Sequence, residues 1–153
     1  MNMTLIEQIK EAFENVEYPG DMNLVENIQD FESHKMFQVL KGKDWRDITD
    51  DIAGDWRMSL PLLTNMGFHY FLPAFMLASL GEDKYEVGTF LVYRLEPPTD
   101  KSELAEFHTR MGEFNKSQAS AIYKYLKSIA DYVEELDPNY LKEALDFWKQ
   151  AST

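Results

Sequence analysis

Apolar positions recur along this chain with the three-to-four spacing of helices, and the first such stripe opens almost at once. Thr4 and Glu7 have the T-x-x-E spacing of a capping box. Leu5, Ile9, Ala12, Phe13 and Val16 follow on one face, which predicts a helix over 4–17. Tyr18-Pro19-Gly20-Asp21 stops it, because a residue before proline avoids helical geometry and glycine suits the turn. A second helical stretch is expected over about 23–40, in one piece or two. Leu24, Val25, Ile28 and Phe31 start its stripe; Met36, Phe37 and Leu40 end it. Lys41-Gly42-Lys43 then provides a basic, glycine-containing stop. Residues 44–58 read as irregular or short-helical, with a small echo in Asp44-Trp45-Arg46 and Asp55-Trp56-Arg57. One repeated tripeptide is not a repeat architecture.

Residues 59–81 are the apolar centre of the chain. Thr64 or Asn65 is placed to cap a helix there. Pro73 sits inside the run, so a helical turn through Phe71 and a restart with Pro73 in the first turn is the simplest expectation. Residues 86–95 are open between two forms. Val87, Gly88 and Thr89 leading to Phe90, Leu91, Val92 and Tyr93 have strand-like composition. Asp83 and Glu86 have cap spacing, however, and Val87, Phe90, Leu91 and Leu95 make a helical stripe; no convincing second strand is available as a partner. Pro97-Pro98 ends the element in either case. A short helix is expected over 101–115 with a loop around Gly112. A helix capped by Ser117 should run to about Glu135 on Ile122, Leu126, Ile129 and Val133. Asp137 and Pro138 are then placed to start a final helix that buries Leu141, Leu145 and Trp148. The expected fold is mainly α: six or seven helices in a single compact domain over 1–153.

The run over 68–80, FHYFLPAFMLASL, resembles the signature of a bacterial family of uncharacterised proteins, in which an aromatic-rich turn leads into L-P-A and a small, apolar helix. The surrounding order is similar too. Ile9, Ala12 and Phe13 stand before Tyr18 and Pro19; Gly42, Lys43 and Trp45 precede the L-P-A helix; Ser117, Gln118 and Ile122, then Ala144, Leu145 and Trp148, follow it. The resemblance spans nearly the whole chain and its motifs are packing motifs. It implies a bacterial protein with a helical fold, leaves function open and transfers no catalytic residue.

Charge changes the picture more than size does. The chain has 15 Lys and Arg against 27 Asp and Glu, a formal net charge of −12. Nucleic-acid binding needs clustered basic residues that displace phosphate counterions, and anionic membranes need the same, so neither partner is expected. An acidic surface can steer a basic protein inward, although solubility is the plainer use of the charge. There is no cysteine, which removes disulfides, cysteine zinc sites and thiol nucleophiles and fits a reducing cytoplasm. The longest strongly apolar run, 71–78, is far short of the ~20 residues a membrane helix needs. The N-terminal segment carries acids early and has no continuous apolar core, so it reads as the first helix and not as a secretory signal.

Chemistry-bearing motifs are sparse. His34, His69 and His108 share no metal-ligand spacing. Asp44, Asp47, Asp50, Asp51 and Asp55 cluster without the spacing of a calcium loop, and helix caps explain them more simply. Neither a nucleophile elbow nor a phosphate-binding glycine loop occurs, and adjacent acids such as Glu134 and Glu135 are expected by chance. No metal and no cofactor is expected. The aromatic set Phe68, Tyr70, Phe71 and Phe75, with Met66 and Met76, reads first as core and second as the wall of an apolar pocket.

One concentration remains. Residues 1–32 hold Glu7, Glu11, Glu14, Glu17, Asp21, Glu26, Asp30 and Glu32 against Lys10 alone, a net −7. Glu7, Glu11 and Glu14 fall opposite the apolar stripe of the first helix. The first expectation is therefore a non-enzymatic acidic protein of the immunity or adaptor kind, contacting a basic protein through Glu7, Glu11 and Glu14. The alternative is an enzyme or small-ligand sensor with a pocket near Trp45, His69, Tyr70 and Arg94. A structural homodimer is a third; the sequence leaves the oligomeric state open.

Overall fold

Helix-forming signals outnumber all others, and the computed structural model, which describes residues 3–83, 86–133 and 138–153, is all-α. Its helices are α1 (Leu5–Phe13), α2 (Phe31–Leu40), α3 (Asp50–Trp56), α4 (Asn65–Ser79), α5 (Val87–Leu95), α6 (Lys101–Met111), α7 (Lys116–Val133) and α8 (Pro138–Ala151). Short 3-10 turns cover Asp21–Asn23, Trp45–Asp47 and Arg57–Leu62. Among the described residues there are eight α-helices, close to the expected number, and no strand. None of these helices is long and apolar enough to cross a membrane. By its own contacts the chain divides into two compact units, one of Met1–Glu14 with Leu91–Thr153 and one of Asn15–Phe90.

In the first unit, α1 packs along α7, and α7 along α8. The capping box of α1 forms as expected: the Thr4 hydroxyl accepts the Glu7 N–H and the Glu7 carboxylate accepts the Thr4 N–H, both at 3.1 Å. The helix ends at Phe13 and not at position 17. The Ala12 carbonyl, which an amide at position 16 would meet in a continued helix, accepts the side-chain amide of Gln118 at 3.2 Å. Asn115, not Ser117, starts α7. Its carboxamide accepts the Gln118 N–H at 2.8 Å while the Gln118 side chain accepts the Asn115 N–H at 3.0 Å. Those reciprocal bonds satisfy two otherwise orphaned donors, so the helix is capped two residues before the serine and begins at Lys116. The expected end near Glu135, the Glu134/Glu135 pair and the Asp137 cap lie outside the described residues. Trp148, fully buried on α8, donates its indole N–H to the Leu95 carbonyl at 2.8 Å, where Pro97 and Pro98 prevent α5 from continuing. Phe13, Phe114, Trp148, Phe147 and Phe107 form a chain of edge-on rings with centroids 4.9–6.2 Å apart.

In the second unit, α4 is the axis. Eleven of its 15 residues are buried, and Phe68, Phe71, Leu72, Phe75 and Met76 are fully so. Thr64 caps it, accepting the Gly67 N–H at 2.9 Å. The helix runs unbroken through Pro73, contrary to the expected restart at that residue. A proline costs about 3 kcal/mol inside a helix. Burying each large apolar side chain returns about 1.5–3 kcal/mol, so a helix buried nearly all round absorbs the loss.

The second expected helix is also corrected at its start. Residues 24 and 25 are buried, but outside any α-helix: Val25 bridges Leu63 in antiparallel fashion, Glu26 N–H donates to the Leu62 carbonyl at 3.0 Å and Thr64 N–H to the Leu24 carbonyl at 2.9 Å. Helix α2 begins only where Asp30 caps it, accepting the Ser33 N–H at 3.1 Å. Gly42, at φ +72°, then ends it as expected. The segment left open at 86–95 is helix from Val87 to Leu95: both Asp83 carboxylate oxygens cap α5, accepting Val87 N–H at 2.8 Å and Gly88 N–H at 3.1 Å.

Close approach of backbones makes Gly67 irreplaceable in this unit. A Cβ at 67 would stand 2.5 Å from the Leu24 carbonyl oxygen and 3.2 Å from its carbon, both backbone atoms that lack room to swing away. Gly67→Ala should therefore lower unfolding free energy by roughly 2–4 kcal/mol in urea titration. Gly81→Ala, facing open space, should leave the urea midpoint nearly unchanged; equal effects would refute the close-approach account.

Candidate functional site

Two places in the second unit and one in the first gather chemistry-bearing side chains. The first lies where the loop after α2 meets α4. Tyr18 and Tyr70 stand edge to face with ring centroids 5.5 Å apart. Each phenol accepts a backbone N–H from the loop: Tyr18 from Gly42 at 2.7 Å and Tyr70 from Trp45 at 3.3 Å. Tyr18 also donates its proton to the Asp21 carboxylate. Asp44 caps the turn that follows, accepting the Arg46 N–H at 2.9 Å, and its carboxylate pairs with the Arg46 guanidinium at 3.0 and 3.2 Å. That guanidinium in turn lies 4.4 Å from the Trp45 ring centre. The backbone N–H of Arg46 first, and its guanidinium second, hold the Asp44 carboxyl below its ordinary range.

Of the four residues expected near a pocket, the fold thus joins Trp45 and Tyr70 directly. His69 is half-buried beside Tyr70 on α4, and Arg94, half-buried near the end of α5, belongs to the other compact unit. Trp45 is 2% exposed and its indole N–H is buried without an acceptor. None of the four lines either of the clefts that follow.

One cleft, about 470 Å³, lies in the second unit among Thr49, Asp50, Asp51, Ala78, Glu82, Asp83 and Val87. Its acids are explained locally. Asp50 and Asp51 occupy the first turn of α3, where the helix dipole favours negative charge, and Asp83 caps α5. Among the described residues no three His, Asp or Glu side chains are grouped to hold a metal ion. The other cleft, about 710 Å³, lies in the first unit between α1 and α7 and is lined by Met3, Gln8, Glu11, Ala12, Ser117, Ser120, Ala121 and Lys124.

The three glutamates of α1 divide. Glu7 is spent in the capping box; Glu11 lines the cleft beside α7; Glu14 caps the helix end. All three are exposed. The −7 of residues 1–32 is shared between the two compact units, with Glu7, Glu11 and Glu14 in one and Glu17, Asp21, Glu26, Asp30 and Glu32 in the other. The sequence reading names Gln118 only within a packing motif and does not single out Ser120, Ala121 or Lys124. The signal was present as the spacing of 117, 120, 121 and 124, which puts small residues and one lysine along a single flank of α7.

The chain matches the model of a family of unknown function, DUF6714, over residues 1–152, and belongs to that family. No curated protein and no solved structure matches it.

Burial raises both the Tyr70 and the Tyr18 phenol above the ordinary value of 10, and for Tyr18 the bond to Asp21 adds to it. The folded chain thus favours the neutral phenols. Their contribution to stability is fully present below pH 10 and is lost as the pH rises through the folded values. Between about pH 9 and about pH 11, wild type should lose more stability than the double variant Tyr18→Phe/Tyr70→Phe, measured by urea midpoints. Parallel losses would show that neither phenol is linked to folding.

Proposed function

We propose that this member of the family is a non-enzymatic acidic binding protein that contacts a basic protein partner, in the manner of small immunity or adaptor proteins. The observation that carries the reading is the fate of the acids over 1–32: all eight are exposed, against one lysine. Glu7, Asp21, Asp30 and Glu32 hold side-chain bonds among the described residues. Glu7 and Asp30 cap helices, Asp21 meets Tyr18, and Glu32 accepts the Ser59 hydroxyl at 2.7 Å. Among the described residues Glu11, Glu17 and Glu26 hold none, so their charge is directed at solvent and at whatever approaches through it. Long-range attraction of this kind raises the association rate of an oppositely charged partner and weakens as salt shortens its reach. The absence of cysteine supports a reducing compartment such as the cytoplasm, and the resemblance of the L-P-A helix supports a bacterial source.

Affinity capture from the native host, followed by mass spectrometry, tests this. A basic protein should be retained at about 50 mM salt and released at about 500 mM. Glu17→Lys/Glu26→Lys, changed where no side-chain bond is lost, should retain several-fold less of it. Retention that ignores both salt and charge reversal would overturn the reading.

A further inference from the structure

The cleft between α1 and α7 carries charges of both signs that the chain itself leaves unmet. Glu11 stands on the α1 wall and Lys124 on the α7 wall. Both are exposed, and neither makes a hydrogen bond or ion pair within the described chain. Ala12, Ser117, Ser120 and Ala121 form the floor between them, and Met3, 41% exposed, lies at the N-terminal end. There the Gln8 side chain folds back to donate to the Met3 carbonyl at 3.1 Å. Short side chains leave the backbones of two helices open to close approach by a third element.

A uniformly basic partner fits this cleft poorly, since Lys124 would repel what Glu11 attracts. A second copy of the same chain fits it by symmetry. In a two-fold contact each surface meets itself, so a residue i that touches j is matched by j touching i. A two-fold axis set between the two side chains would place the lysine of each copy against the glutamate of the other, so that each charge is met once in each copy. Helix α7 has 18 residues, a length of about 27 Å, which gives such a contact room along two walls. We infer that the α1–α7 cleft is the two-fold interface of a homodimer, seated by reciprocal Glu11–Lys124 pairs over the small-residue floor. The inference rests on Glu11 and Lys124, whereas the charge reversals that test the basic-partner reading are at Glu17 and Glu26, so the two can fail separately.

Sedimentation velocity with light scattering, over a series of protein concentrations, decides it. Wild type should sediment as a dimer. Glu11→Lys alone and Lys124→Glu alone each place like charges together and should weaken the dimer by about tenfold or more. The combined Glu11→Lys/Lys124→Glu variant should restore it, because the pairs re-form with reversed sign. Circular dichroism should show unchanged helix content in all three, since neither side chain is bonded within the chain. A monomeric wild type overturns the proposal. So do single variants that associate like wild type, or a double variant that stays as weak as the singles.

Discussion

Residues 23–26 run beside 62–64, and the second unit depends on that short backbone pairing. It is only a bridge between Val25 and Leu63 with flanking bonds from Glu26 to Leu62 and from Thr64 to Leu24, yet it fixes three things at once. Beside the buried Leu24 and Val25 side chains, the Leu24 carbonyl is given a donor in the Thr64 N–H, where an unpaired buried carbonyl would be costly. Thr64 is held where its hydroxyl both donates to the Asn23 carbonyl and caps α4. The first turn of α4 is brought so close to the Leu24 carbonyl that position 67 has room for no side chain. Once that end is anchored, α4 can bury its aromatic sides against the surrounding elements and tolerate a proline in its middle.

Polar side chains in this protein divide between those that finish the backbone and those left in water. Thr4, Asp30, Asp44, Thr49, Thr64 and Asp100 each cap the element after them. Tyr18, Tyr70, Gln118 and Trp148 reach across to loop amides or helix-end carbonyls. A fold of many short helices has many unsatisfied ends, and this is where much of the chain's polar inventory goes. The high acid content is partly a consequence, because Asp is a favoured cap and carboxylates suit helix N-termini. Glu11, Glu17 and Glu26 are not accounted for in this way, and the functional reading rests on acids of that kind.

Legibility followed how local each signal was. The capping box at Thr4 and Glu7, the stop at Gly42, the Thr64 cap and the buried Leu141 and Trp148 of α8 are set by local spacing, and the sequence displays them; Leu145, expected with them, is only half-buried, and Ala144 is buried instead. For residues 86–95 the sequence leaves helix and strand open, and the want of a strand partner points to the helix that forms. What misled was tertiary. Leu24 and Val25 continue a helical stripe on paper, but Leu62, Leu63 and Thr64 claim their backbone. Ser117 looks like a cap until Gln118 is seen bonding Asn115 in one direction and Ala12, 106 residues away, in the other. Pro73 reads as a break because local cost is visible in sequence and the burial that offsets it is not. At the candidate sites, Trp45 and Tyr70 meet through the Trp45 N–H and the Tyr70 phenol, but they line neither cleft. The α1–α7 cleft was missed because its walls come from opposite ends of the chain.

Amide hydrogen exchange at Glu26 and Thr64 probes the pairing on which the second unit rests. If the pairing anchors α4, both amides should exchange only through large-scale opening, with protection comparable to that of amides in the middle of α4. Exchange at the rate of an unstructured loop, with α4 still protected, would show that the central helix holds without it and would contradict the account.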